Sequence, residues 1–207
     1  ENDYTGEVIG ISLDGTGYGT DGTIWGGEIL KCSPDGFERA GHIRPFLHTG
    51  GDIASREGFR IAISMLIDIF GDDAESKCSD LGLIRQGTFK TYKVMHDNRI
   101  NTSISTSCGR LFDAAAAILG IRYEQSFEGE AATALEFKAM EYERDKDIGT
   151  MDLIDGDVIA TDRIIRYLAE ERLKGTDIRK LAYAFHYLLA KGAAQMAMAK
   201  SGSIKTA

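Results

Sequence analysis

Proline is almost missing from this chain: Pro34 and Pro45 are the only two in 207 residues, so no proline-rich linker divides it. Cysteine is equally sparse. The three, Cys32, Cys78 and Cys108, stand far apart without CxxC spacing, which excludes a disulfide framework and a zinc ribbon and fits a reducing cytosol. Positive charge is short too, with 24 Lys and Arg against 32 Asp and Glu, and the net charge of −8 argues against a broad nucleic-acid or membrane surface. No apolar run approaches the roughly 20 residues of a membrane span, and the opening ENDYTGEV is polar rather than signal-like. None of the four histidines has another at i+3 or i+4, so no local His pair for a metal exists. There is no internal repeat and no low-complexity tract. What remains is 43% hydrophobic and 27% charged, ordinary for a globular chain long enough to bury a full core as one domain or two small lobes.

Glycine is abundant in one place. LDGTGYGTDGTIWGGE, from Leu13 to Glu28, holds six glycines in sixteen residues directly after the apolar run VIGISL. Val8 to Leu13 reads as a short buried strand, Thr23 to Leu30 as its returning partner, and Asp21-Gly22 as the turn between them. Glycine this dense beside a strand lets backbone approach a ligand closely, and the amides of Gly15, Thr16 and Gly17 form a nest suited to a phosphate. A carboxylate at the mouth of such a nest repels a phosphate unless a cation lies between, so Asp14 reads as a ligand of a divalent metal. The alternative is that Asp14 and Asp21 merely cap two turns.

Further on, Phe37 to Ile43 reads as another strand, and Arg44 to Asp52 as a loop ending in Gly50 and Gly51. Ala54 to Phe70 has helical periodicity, with Phe59, Ala62, Ile63, Leu66 and Phe70 on one side. Gly71 to Arg99 is polar and weakly patterned. Ser105 to Gly120, STSCGRLFDAAAAILG, places capping residues before a helix-forming run that Gly120 closes. Gly109 and Asp113 share a face near its start: a glycine there lets a flat ligand lie on the backbone, and the aspartate can accept both hydroxyls of a ribose. An Ala-rich core helix with an incidental acid is the other reading, with Ala114 to Ala117 keeping the helix slim.

SFEGEAATALE sets Gly129 in a turn before a helix with Ala131, Ala132 and Leu135 buried, while Glu128 and Glu130 suit the helix dipole without a ligand. A strand or turn over DLIDGDVIA, a helix from Asp162 to Lys174 and a longer one from Asp177 to Lys200 complete the chain. On the last, Tyr183, His186, Tyr187, Ala190 and Ala194 fall on neighbouring turns, with His186 a core or boundary residue. Arg39, His42, Arg44, His48, Arg56 and Arg60 are the one basic concentration. Arginine forks suit anions, surface ion pairs are the competing reading, and none of the six is taken as a site residue.

Taken together, LDGTGYGTDGTIWGGE, GHIRP, GGDIASREGFRIA, STSCGRLFDAAAAILGI and SFEGEAATALE resemble, in order, the C-terminal carbamoyltransferase domain of the HypF family of hydrogenase maturation proteins. The likeness is dense from about Val8 to Glu136 and returns in AFHYLLAKGAA. More distant relatives are the universal tRNA threonylcarbamoyl-transferases. The resemblance implies an α/β, actin/Hsp70-like (ribonuclease-H-like) ATPase fold. It implies ATP-dependent activation of carbamoyl phosphate as carbamoyl adenylate, and transfer of the carbamoyl group to the C-terminal cysteine of a HypE-type partner protein, where it becomes the cyanide ligand of a nickel-iron centre. The implied cofactors are ATP and a divalent metal, zinc, iron or magnesium. Carried over by position, Asp14 resembles the metal ligand and Gly15, Thr16 and Gly17 the loop that meets phosphates and metal. Gly109 and Asp113 match the helix end that holds the ribose, and Gly129 the turn beside it.

In the family, a histidine pair for the metal lies on a helix before the first strand. A glycine-rich phosphate loop and a last aspartate ligand follow a strand that would begin about Ile204 to Ala207. The 207 residues are therefore expected to be an incomplete piece of the domain, weak in nucleotide and metal binding by itself. Two other readings stay open: a related carbamoyl-transfer enzyme acting on tRNA or a small metabolite, and a non-catalytic partner-binding piece.

Overall fold

The computed structural model describes residues 6–84, 87–143, 148–202 and 204, which form one seven-stranded mixed sheet and seven α-helices. The start of the polar opening and most of the last four residues lie outside the described residues. Strands β1 (Val8–Tyr18) and β2 (Ile24–Ser33) make the antiparallel hairpin expected around Asp21-Gly22. Gly22 takes φ +78°, and the Asp21 carboxylate locks the tip by accepting from the Thr23 amide and the Trp25 indole, each at 3.0 Å. Both strands outrun their expected ends. β1 does not stop at Leu13: its register with β2 shifts between Leu13 and Gly17, and pairing then resumes at Gly17↔Trp25 and Tyr18↔Ile24.

β3 (Gly36–Ile43) pairs antiparallel with β2 as expected. The segment read as a loop from Arg44 to Asp52 contains β4 (Phe46–Thr49), whose four residues are all buried. It pairs antiparallel with a second short strand, β5 (Thr102–Ser105), and Ser105 pairs with Ile24 of β2. Pairing with each other and with β2 makes these four-residue pieces strands, β4 fully buried and β5 mostly exposed. A 3-10 helix (Gly51–Ser55) then leads into α1 (Gly58–Phe70), so the helix expected from Ala54 is divided at Arg56-Glu57. The weakly patterned stretch that follows holds α2 (Ala74–Asp80) and α3 (Phe89–Asp97).

After β5 come α4 (Cys108–Ile118) and α5 (Glu130–Met140). The two-residue strands β6 (Ile154–Asp155) and β7 (Val158–Ile159) form a hairpin, followed by α6 (Thr161–Leu173) and α7 (Ile178–Ser201). The strand order is β4-β5-β2-β3-β7-β6, with β1 also paired to β2. α4 runs through the middle of the molecule, touching α1, α5, α6, α7, β1 and β2. Ala114 to Ala117 are fully buried, so small side chains on consecutive positions let neighbours close in from every side. Phe112 of α4 meets Phe185 of α7 edge to face at 4.9 Å. His186 is half-buried, its Nδ1 2.8 Å from the Ala182 carbonyl, as a boundary histidine should be. On α5, Ala131 and Leu135 are buried and Ala132 half-buried. The architecture thus carries the end of β1, the N-terminus of α4 and the turn before α5 to one place.

Candidate functional site

The register shift in β1 leaves Asp14, Gly15 and Thr16 outside the ladder. Part of the expected phosphate nest survives. Gly17 is back opposite Trp25, a Cβ there would stand 3.1 Å from the Trp25 carbonyl oxygen, and the Gly15 amide already donates to its neighbour's carboxylate, Asp14 Oδ1, at 2.6 Å. The loop is held from behind. A Cβ on Gly26 would lie 2.5 Å from the Asp14 carbonyl oxygen and 3.1 Å from Ser107 Cα. Gly26 and Gly27 donate their amides to Glu28 Oε2 at 2.6 and 2.7 Å, and Arg39 donates to Glu28 Oε1 at 2.9 Å while stacking on the Trp25 ring. Glu28 is 2% exposed and was legible only as the last letter of the glycine-rich string.

Ser107 caps α4, accepting from the Arg110 amide at 3.1 Å, and its hydroxyl also donates to the Gly15 carbonyl. Gly109 is pressed against the same loop, where a Cβ would stand 2.8 Å from Gly15 Cα. The chain's own Gly15 thus occupies the space that the missing Gly109 side chain leaves. From the third segment, Glu128 Oε1 lies 3.6 Å from where a Gly15 Cβ would be. Gly129 caps α5 with φ +80°, and Glu130 accepts from the Ser126 amide at 2.6 Å, which lowers its pKa, so Glu130 serves the helix start as expected.

These three segments border a cavity of about 350 Å³ lined by Thr16, Ser55, Arg56, Arg110, Gln125, Ser126, Phe127 and Glu128. Of the basic group, Arg39 meets Glu28 and Asp21, Arg44 meets Asp155 and Asp162, and Arg60 meets Glu57. Arg56 is different: it makes no ion pair among the described residues, and it lines the cavity. Arg110 is 7% exposed, with Nε 2.7 Å from Asp113 Oδ2 but off the hydrogen-bond line. Behind it Asp113 is 2% exposed, accepts from Gln125 Nε2 at 3.2 Å and has a pKa raised to about 6, because burial outweighs the help of Arg110 and Gln125. His48 of β4 is also buried beside Arg110, and both effects lower its pKa.

The structure therefore brings Gly15, Thr16, Gly109 and the Ser126–Gly129 turn together, and sets Asp113 one layer behind the cavity. The Asp14 carboxylate is exposed and does not line it. Among the described residues no three His, Cys, Asp or Glu side chains converge on a metal position, so Asp14 stands as a single candidate ligand. Two guanidiniums, three hydroxyls, an amide, a carboxylate and an exposed phenyl ring suit a ligand that combines anionic, polyol and flat parts. Arg110 and Gln125 escaped the sequence reading, which names Arg56 in the basic group and Glu128 at a helix start without taking either as a site residue. Gln125 and Glu128 flank Phe127 within or beside the third motif, so that motif's density was their only signal.

A family model described as "Carbamoyltransferase, Kae1-like Domain, second subdomain" matches residues 10–206. The probable carbamoyltransferase HypF of Methanocaldococcus jannaschii is 32% identical over 197 residues, 95% of this chain and 26% of that protein. A carbamoyltransferase HypF homolog of Cupriavidus necator is 41% identical over 144 residues, 69% of this chain and 36% of that protein. The crystal structure of full-length HypF in a phosphate- and nucleotide-bound form superposes with a TM-score of 0.86 at 30% identity, over 99% of this chain and 32% of that one. The HypF of T. kodakarensis superposes at 0.82, also with 30% identity, over 97% of this chain and 27% of that one. The chain thus spans about a quarter to a third of the length of these relatives. By sequence and by fold, it belongs to the HypF carbamoyltransferase family, as the second subdomain of the Kae1-like domain.

Proposed function

We propose that this chain is the nucleotide-holding part of an enzyme that activates carbamoyl phosphate with ATP and passes the carbamoyl group to the C-terminal cysteine of a HypE-type partner, in the synthesis of the cyanide ligand of a nickel-iron hydrogenase. The fold is read as part of an actin/Hsp70-like ATPase. In the chemistry proposed, water first cleaves carbamoyl phosphate to carbamate and inorganic phosphate; a carbamate oxygen then attacks the α-phosphorus of ATP and pyrophosphate leaves. The acceptor thiolate then attacks the carbonyl carbon, and AMP departs. Arg56 and Arg110 balance anionic charge, Glu128 accepts sugar hydroxyls, Phe127 offers a face to the base, and Asp113, one layer behind them, holds Arg110 and Gln125 in place. No nucleophile from this chain is needed. Burial pushes the thiols of Cys78 and Cys108 up to about 12, which keeps them protonated and inert at neutral pH. A divalent metal, when bound, would neutralise phosphate charge. Asp14 alone does not make its shell, and no step is assigned to it here.

The observation that supports this reading most is the apposition of Gly15 to Gly109 and Glu128 beside a cavity whose Arg110 and Gln125 are backed by Asp113. The test uses the full-length protein, following ATP cleavage to AMP and pyrophosphate with carbamoyl phosphate present. Asp14→Ala, which removes the single candidate metal ligand, and Asp113→Asn, which frees Arg110 and Gln125, are each expected to lower the rate by up to about 100-fold, as misplacing groups around the reacting atoms does. Unchanged rates in both would point instead to a partner-binding piece.

A further inference from the structure

Gln125 takes no part in the family motifs singled out above, yet it lines the cavity and hydrogen-bonds to three of the segments around it. It is 9% exposed. Its amide N–H donates to the Arg56 carbonyl at 2.8 Å. Its side-chain Nε2 donates to the Ser55 carbonyl at 2.5 Å and to Asp113 Oδ2 at 3.2 Å, while Oε1 accepts from the Ala131 amide of α5 at 3.4 Å. The amide has one sensible orientation. Rotated by half a turn, Oε1 would face a carbonyl and a carboxylate, and Nε2 would face an N–H, so all three contacts would be like against like. One side chain thus joins the end of the 3-10 helix, the middle of α4 and the start of α5, three segments distant in the chain.

We propose that Gln125 is the positioning residue of this cavity, holding the Asp113 carboxylate in fixed register with the Ser126–Gly129 turn and with Ser55-Arg56. The proposal rests on the nucleotide reading above and deepens it. Gln125 acts through Asp113: its Nε2 supports the ionised carboxylate that holds Arg110 at the cavity. The other groups around Asp113 are Arg110 on its own helix and Gly58 of α1, which brings no titratable side chain and whose Cβ would stand 2.9 Å from Asp113 Cβ. His48 lies beyond Arg110, and Glu128 lies on the cavity lining. Removing the Nε2 donor therefore leaves Arg110 as the single direct support of the charge.

The experiment measures ATP affinity of the full-length protein from pH 5 to 9 by calorimetry, in the wild type, Gln125→Leu, Gln125→Glu and Asp113→Asn. The ligand's own titration is common to all four. Wild-type affinity should rise with pH through a midpoint near 6, where Asp113 ionises. That midpoint should move up by about half a pH unit in Gln125→Leu and by about one in the isosteric Gln125→Glu, where two carboxylates face each other. Should the leucine variant fail to fold, the glutamate variant decides. If both lower affinity equally at every pH and leave the midpoint in place, Gln125 is merely structural and the proposal is overturned. If Asp113→Asn leaves ATP affinity unchanged, the nucleotide reading itself fails, whatever Gln125 does.

Discussion

At the scale of single residues, the site depends on atoms that are missing as much as on those present. Gly109 lies inside α4, where replacement by alanine ordinarily gains up to about 1 kcal/mol of helix propensity. Its surroundings oppose that gain, because the new methyl would sit 2.8 Å from Gly15 Cα, a backbone atom with no rotamer to change. Overpacking of this kind costs about 1–3 kcal/mol, so Gly109→Ala should be a net loss of stability, read as a lower urea midpoint with an unchanged slope. Gly129→Ala is the contrasting case. Nothing lies within 4 Å of its Cβ position, and its φ of +80° is the only obstacle. It should cost about 1 kcal/mol through local strain and leave the β1 loop undisturbed. A Gly109→Ala protein as stable as the wild type would mean that the β1 loop yields freely, and the close apposition of the two segments would lose its force.

At the scale of elements, α3 is fastened to α1 by a charge that comes and goes with pH. His96 is 8% exposed, with Nε2 3.1 Å from Asp68 Oδ1 on α1 and Nδ1 3.2 Å from Asp97 Oδ1 on its own helix. Asp68 first, and Asp97 after it, raise its pKa against the effect of burial, while Lys93 also holds Asp97 and Arg60 and Tyr92 border the same small space. A histidine whose pKa is raised on folding stabilises the fold fully below its unfolded value of about 6.5, and that stability is lost as pH rises through the folded value. The gap in urea midpoint between wild type and His96→Gln should therefore be widest near pH 5.5 and narrow above neutrality. A gap constant across that range would remove the clamp.

The same elements separate what sequence patterns reveal from what they hide. The β1–β2 hairpin, β3, α4 with its Ser107 cap, α5 behind Gly129, α6 and α7 were legible because apolar period, turn residues and caps all agreed on them. β4 and β5 were not, since Phe46–Thr49 follows Pro45 and precedes two glycines, and Thr102–Ser105 is mostly hydroxyl-bearing. Their pairing with each other and with β2 is a tertiary fact that no local window contains. The site divided in the same way. Gly15 and Thr16 announced themselves through glycine density and Gly129 as the turn before a helix, whereas Arg56, Arg110 and Gln125 matter only through neighbours more than fifty residues apart in the chain or reached across a helix turn.

At the scale of the whole molecule, charge and ligand count set what this chain can do by itself. A net charge of −8 disfavours a polyphosphate, and the cavity opposes that field with two guanidiniums, Arg56 and Arg110, the second already beside Asp113. For a metal the deficit is larger. Among the described residues no three acidic, histidine or cysteine side chains are grouped so that they could hold a metal ion, and a single exposed carboxylate such as Asp14 competes poorly with water for a divalent ion. Isothermal titration of the 207-residue chain should therefore give weak ATP binding and no stoichiometric zinc, whereas the full-length protein should bind both more tightly. The comparison is informative because the two preparations share every residue of the cavity: a difference between them measures what the rest of the protein adds. Micromolar binding of one zinc per chain by the 207 residues would overturn this account, since it would require a metal shell that Asp14 cannot supply.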